Sequence, residues 1–113
     1  MPADTATLLV LTTMPDRAAA MQLARHLVEQ RLAACVSLGA PMQSIYRWQG
    51  VVAESAETPV QIKTSSVAYA AVEAAIRALH PYELPEIIAV PVVAGLPAYL
   101  NWVHEESTPP NNA

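Results

Sequence analysis

The sequence predicts an α+β domain in the order β-α-β-β-α-β followed by a short helix, with both long helices on one face of an antiparallel sheet. Three observations predict it. Two segments carry apolar residues at helical spacing, 17–31 and 66–79. Short apolar or alternating runs flank them and are closed by Gly, Pro or Ser. The chain has 113 residues, enough for one domain and not two.

Residues 7–13 (TLLVLTT) read as the first strand. Thr13 is the expected cap of the first helix, with Pro15 in its first turn and Asp16 three residues on. That helix runs to about Arg31, with Ala20, Leu23, Ala24, Leu27 and Val28 as its apolar stripe. Residues 33–38 (AACVSL) are a second strand, 39–42 a kink, and 44–48 resume extended structure up to a turn at Gln49-Gly50. A long strand follows over 51–64, with Val60, Ile62 and Thr64 on one face and Gln61 and Lys63 on the other. Pro59 lies inside it, and a residue with no N–H predicts an edge or a bulge there. The second helix starts at Ser65 or Ser66, buries Tyr69, Val72, Ile76 and Leu79, and stops at His80-Pro81. A last strand covers 86–93, Gly95 breaks the chain, and 96–105 form a short helix presenting Leu100 and Val103. One domain is expected over 1–106 and a disordered tail over 107–113.

This order is the ferredoxin-like one. Such a sheet has one face without helices, yet LLVL in the first strand and IIAVPVV in the last are apolar at consecutive positions. A strand with one wet face alternates, so both faces are expected to be covered, the second by other copies of the chain. Composition agrees: 53% of residues are hydrophobic and 14% charged, against about 25% charged in typical domains. The net charge of -4 and the scattering of six basic residues exclude a nucleic-acid footprint. A single cysteine, Cys35, excludes an internal disulfide and suits a reducing compartment. With no basic n-region and no long apolar run, the expected location is the cytoplasm, away from membranes.

No nucleophile elbow, phosphate-binding glycine loop or placeable Ser-His-Asp or Cys-His set occurs, and there are only three glycines. Cys35 suits either a small buried hydrophobe or a soft-metal or redox group. His80 suits either a helix C-terminus or a ligand contact. His26 and His104 read as surface or flanking positions, and no histidine or cysteine pair has metal-ligand spacing. Glu57 and Lys63 share a face if the strand is regular. They form either an ion pair or, with Tyr46, Trp48 and Tyr82, the polar groups of an aromatic-walled cleft. Tyr46 and Trp48, two apart near the turn, equally suit an interface anchor. Glu83 and Glu86 sit in a Pro-rich loop, a poor platform for paired carboxylates.

Several stretches together carry a resemblance. VLTTMPD (10–16), LAACVS (32–37), SIYRWQG (44–50), Glu57 with Lys63-Thr64, HPYELPE (80–86) and YLNWV (99–103) resemble the CutA family of divalent-cation tolerance proteins in order and spacing, over nearly the whole chain. The resemblance implies a ferredoxin-like fold with a long hairpin and a homotrimer like that of PII signalling proteins. It also implies clefts between subunits and an association with metal tolerance and divalent copper. It points to a cleft near Cys35, Tyr46, Trp48, Glu57, Lys63, His80 and Tyr82, with His80 as the metal contact. The chain departs from some members at Thr12, where they carry cysteine, at Leu79, where they carry a second histidine, and at Ser37, where asparagine is usual. An alternative function is an enzyme acting on a small anionic metabolite in that cleft, with Lys63 as electrostatic clamp and Glu57 or His80 as acid–base.

Overall fold

A computed structural model describes residues 6–109. Its elements are β1 (Thr7–Met14), α1 (Arg17–Glu29), β2 (Cys35–Leu38), β3 (Met42–Trp48), β4 (Val51–Ser65), α2 (Tyr69–Leu79), β5 (Ile88–Pro91) and α3 (Pro97–Glu106). The strands lie in the order β2-β4-β1-β5, and β3 pairs with β4 beyond the end of β2. Every pairing is antiparallel. With β2 and β3 counted as one kinked strand, this is the expected ferredoxin-like α+β sheet.

The core follows from the register. Val10 lies opposite Ile62 and Thr12 opposite Val60, so these share a face. Ala20, Leu23 and Leu27 of α1 and Val72 and Ile76 of α2 pack on that face as one cluster. Each fully buried Val, Leu or Ile contributes about 1.5–3 kcal/mol. Val28 and Leu79, expected in the two stripes, are the last apolar residues of their helices and stay exposed. Beyond them the chain leaves the helix axis, and they are only partly covered.

The start of α1 is corrected by three residues. β1 stays paired with β4 as far as Met14 opposite Thr58, so Thr13 remains in the ladder and cannot cap. Asp16 takes that role, accepting the Ala19 N–H at 2.8 Å. The helix ends at Glu29 in a Schellman motif: the Leu32 N–H reaches Leu27 O at 2.9 Å and the Arg31 N–H reaches Val28 O at 3.1 Å. Arg31 takes the left-handed position, φ 60°, usually given to glycine. Its guanidinium bonds Glu105 O at 3.0 Å and pairs with Glu106 at 3.5 Å, tying α1 to α3.

Pro59 is neither at an edge nor in a bulge of its own strand. β4 runs unbroken against β1, with Thr13 opposite Pro59. On its other side the partner changes from β2, last paired at Leu38 with Val60, to β3, first paired at Met42 with Glu57. The proline therefore faces the kink in the partner segment. Gly39 N–H donates to Pro59 O at 3.0 Å, and a Cβ on Gly39 would lie 2.8 Å from Pro59 Cγ. Glycine is what lets the two backbones meet there.

α2 starts at Tyr69 rather than at Ser65 or Ser66. Ser65 still belongs to β4, and its Oγ accepts the Ala68 N–H at 3.3 Å, closing a turn before the helix. β5 spans four residues instead of the expected eight. Its ladder pairs with residues 8–11 of β1 and ends at Pro91, and one further bond, from the Val92 N–H to Thr7 O at 3.0 Å, ties the chain to β1 beyond it. α3 lies against β4 and β1 with Val103 buried. Ser65, on the face opposite the core, donates to Ser107 O at 2.8 Å. Ser107, expected to open the tail, is thus the buried C-cap of α3; residues 110–113 lie outside the described residues.

The helix-free face is less uniform than its strands suggested. β1 and β5 place Leu9, Leu11, Ile88 and Val90 on it, whereas β2 and β4 add Ser37, Gln61 and Lys63. Ile88 and Val90 remain exposed in the single chain.

Candidate functional site

The β3–β4 hairpin builds one wall of a cleft. Its strands pair one to one up to Trp48 opposite Val51. Gln49 (φ 51°) and Gly50 (φ 82°) close it as a two-residue turn with both φ values positive, the form that matches strand twist. The register sets Tyr46 and Trp48 on the same face as Ser55 and Glu57, and this face continues the helix-free side of the sheet. The Tyr46 hydroxyl lies 2.7 Å from Ser55 Oγ.

The connection between α2 and β5 builds the other wall, and His80 holds it in place. The imidazole is 8% exposed. Its Nδ1 accepts the Tyr82 N–H at 3.1 Å. Its Nε2 is 2.6 Å from Thr13 O. A carbonyl only accepts, so Nε2 carries the proton and the ring is neutral. Both nitrogens are engaged, and His80 offers no free lone pair to a metal. In this geometry His80 is a staple from the loop to the end of β1. The ring also meets Tyr82, with centroids 4.7 Å apart and planes at 52°.

The staple aims Tyr82 at Glu57. The Tyr82 phenol has its pKa raised, first by burial, then by the nearby Glu57 carboxylate, with Tyr46 adding to it. Glu57 is 8% exposed. The cleft between the walls has a volume of about 590 Å³ and is lined by Thr13, Tyr46, Arg47, Trp48, Ser55, Glu57 and residues 82–86. Three carboxylates (Glu57, Glu83, Glu86) therefore face it against one guanidinium, Arg47.

Of the residues singled out in the sequence, Tyr46, Trp48, Glu57 and Tyr82 come together here, and His80 stands directly behind them. Cys35 and Lys63 do not join them. They lie opposite each other on β2 and β4, outside the cleft lining, with Cys35 Sγ 3.9 Å from Ser37 Oγ. Glu57 and Lys63 do share a face, as a regular strand requires, but three side-chain steps separate them along β4. Glu83 and Glu86, set aside as loop residues, belong to the lining because His80 fixes their loop. Arg47, Ser55 and Thr13 had no signal beyond the hairpin register. Among the described residues, no three His, Cys, Asp or Glu gather closely enough to hold a metal ion, and no helix is long and apolar enough to cross a membrane.

Comparison with known proteins places this architecture. The family described as CutA1 divalent ion tolerance protein matches residues 8–106. The divalent-cation tolerance protein CutA of Thermus thermophilus is 44% identical over 98 residues, covering 87% of this chain and 95% of that protein. Its solved structure superposes with a TM-score of 0.88 at 42% identity, over 90% of this chain and 99% of that one. Mouse protein CutA is 44% identical over 101 residues, covering 89% of this chain but 57% of the mouse protein. Identity at this level across nearly the whole chain, together with the shared fold, means that the chain belongs to the CutA1 divalent ion tolerance protein family.

Proposed function

We propose that this protein is a cytoplasmic homotrimer that acts in divalent-cation tolerance, copper included, by binding a positively charged guest in the aromatic and acidic cleft, which in the trimer lies between subunits. The observation that carries the binding reading is Glu57. A carboxylate this buried is costly unless a partner compensates it. Among the described residues its partner is a neutral phenol, and the one ion pair is Arg31 with Glu106, far along the chain. A cation entering the cleft supplies the missing charge.

The trimer reading is supported by exposed apolar surface on the hairpin and the outer strand: Ile45, Val51, Val52, Ile88 and Val90. An apolar surface that extensive on a small domain marks an interaction face. Because the described residues of one chain do not gather a metal-binding set, a metal guest would need donors from a second subunit as well as the carboxylates of this one. The cleft favours a binder over a catalyst of anionic substrates. Lys63, the clamp such an enzyme would use, lies outside it, and His80 has no nitrogen free for proton transfer.

Two measurements test the proposal. Light scattering on the purified protein should give three times the chain mass at micromolar concentration; a monomer would remove the trimer. Titration with Cu²⁺, Zn²⁺ and organic cations should show saturable binding that weakens in Glu57→Gln. Binding only of anions, or of nothing, would defeat the cleft assignment.

A further inference from the structure

The cleft says more about its guest than the sign of its charge. Three aromatic residues, Tyr46, Trp48 and Tyr82, stand around the Glu57 carboxylate. Tyr46 and Trp48 come from alternate positions of one strand and so present themselves side by side. Tyr82 approaches from the opposite wall and is held there by His80. The volume, about 590 Å³, lies in the range of small-organic-molecule sites, roughly 300–1,000 Å³. A bare divalent ion wants several oxygen or nitrogen donors at about 2.0–2.6 Å and little else, and the described residues of one chain do not assemble them. An anion would meet Glu57, Glu83 and Glu86 with only Arg47 in its favour. The Arg47 guanidinium is moreover turned back toward its own turn, 3.5 Å from Gly50 O.

Aromatic rings around a buried carboxylate suit a cation that is large, weakly hydrated and partly apolar. Its charge is shared between the ring faces and the carboxylate, and its carbon atoms cover the remaining ring surface. We propose that the cleft binds the substituted ammonium group of a small organic cation, seated among Tyr46, Trp48 and Tyr82 against the Glu57 carboxylate. This rests on the cleft being the ligand site argued above and specifies what it takes. Glu83 and Glu86, exposed on the loop that lines the cleft, would meet a second positive group on a longer guest.

The test uses the purified full chain and ligand-observed NMR titration at fixed ionic strength. The probes are tetramethylammonium, its neutral counterpart tert-butanol, Cu²⁺ and inorganic phosphate. Tetramethylammonium should bind saturably, at least about tenfold more tightly than tert-butanol, in keeping with a partly desolvated cation–π site. Glu57→Gln, which keeps the side chain's shape, should lose about tenfold of that affinity with the thermal unfolding midpoint held within a few degrees. The comparison of charged and neutral probes on the unaltered protein needs no variant, so a misfolded Glu57→Gln leaves the proposal open to refutation. Equal binding of tert-butanol and tetramethylammonium, or indifference to Glu57→Gln in the folded variant, overturns the ammonium assignment. Binding of Cu²⁺ without tetramethylammonium overturns it and keeps the cation-binding cleft. Binding of phosphate alone, or of no probe, overturns both.

Discussion

At the scale of single residues, His80 and Tyr82 decide whether the cleft exists. His80 joins two segments 67 positions apart through Thr13 O. Replacing it with alanine leaves that carbonyl without its donor and frees the Tyr82 N–H. Leaving buried polar groups unmet costs about 1–3 kcal/mol, so His80→Ala should lower stability by that amount in urea denaturation, with no change in Cu²⁺ binding that is separable from loss of the loop. A metal ligand would behave otherwise: binding would vanish while stability held. Tyr82 gives a second expectation, in pH. Its raised pKa means that the folded state holds the phenolic proton more tightly than the unfolded chain. The resulting stability is fully present below the unfolded value, about 10, and is lost as pH rises through the higher folded value. Tyr69 is raised in the same sense by burial and by Glu73, so Tyr82→Phe should reduce the alkaline loss above pH 10 without abolishing it. Unfolding midpoints measured from pH 8 to 11 check this, and an unchanged slope in Tyr82→Phe would contradict the burial of Tyr82 beside Glu57.

At the scale of elements, the long strand β4 is the part that makes a site out of a simple fold. Its inner half pairs with β1 and β2 and carries Val60 and Ile62 into the core. Its outer half leaves the sheet with β3 alone and carries Ser55 and Glu57 to the cleft. The change of partner is managed at Gly39 and Pro59. Gly39→Ala would set a methyl group 2.8 Å from a stiff proline ring, and relief requires the kink or the strand to shift. Overpacking of this kind costs typically 1–3 kcal/mol, which equilibrium denaturation would read; a neutral result would mean that the segment is looser than this geometry. Much of the element layout was legible in the sequence, because helical spacing and turn residues are local signals. The strand-to-helix joints were not. Thr13 looks like a cap beside Pro15, but its pairing with Pro59 keeps it in the ladder, and that pairing is a long-range fact. The same holds for the cleft. Tyr46, Trp48, Glu57 and Tyr82 were found as an aromatic and polar set, while Lys63 was drawn in by face parity, which says nothing of distance along the strand, and Cys35 by the resemblance alone. The role of His80 depended on Thr13 O, a backbone atom that no side-chain pattern reveals.

At the scale of the whole molecule, the proposed assembly rests on the apolar surface that one chain leaves exposed. The core face is closed by α1 and α2, and α3 shelters part of the other face where it lies against β4 and β1, with Val103 buried and Ser65 bonded to Ser107. What remains is a mixed surface, apolar along β1 and β5 and polar along β2 and β4. A partner seated there meets both kinds of side chain, so the contact is expected to be specific in orientation and not merely adhesive. β5 is an edge strand of four residues with Ile88 and Val90 exposed on this face, and an unpaired apolar edge invites a second chain. Charge placed there should be tolerated by the fold and refused by the assembly. Ile88→Asp with Val90→Asp is expected to leave the circular dichroism spectrum of the chain intact while light scattering at micromolar concentration falls toward the single-chain mass. The same double variant should weaken guest binding if neighbouring subunits complete the cleft, and leave it unchanged if each chain binds alone. An assembly whose mass and binding both survive those two charges would place the subunit contact elsewhere, with the hairpin residues Ile45 and Val52 as the surface then left to account for it.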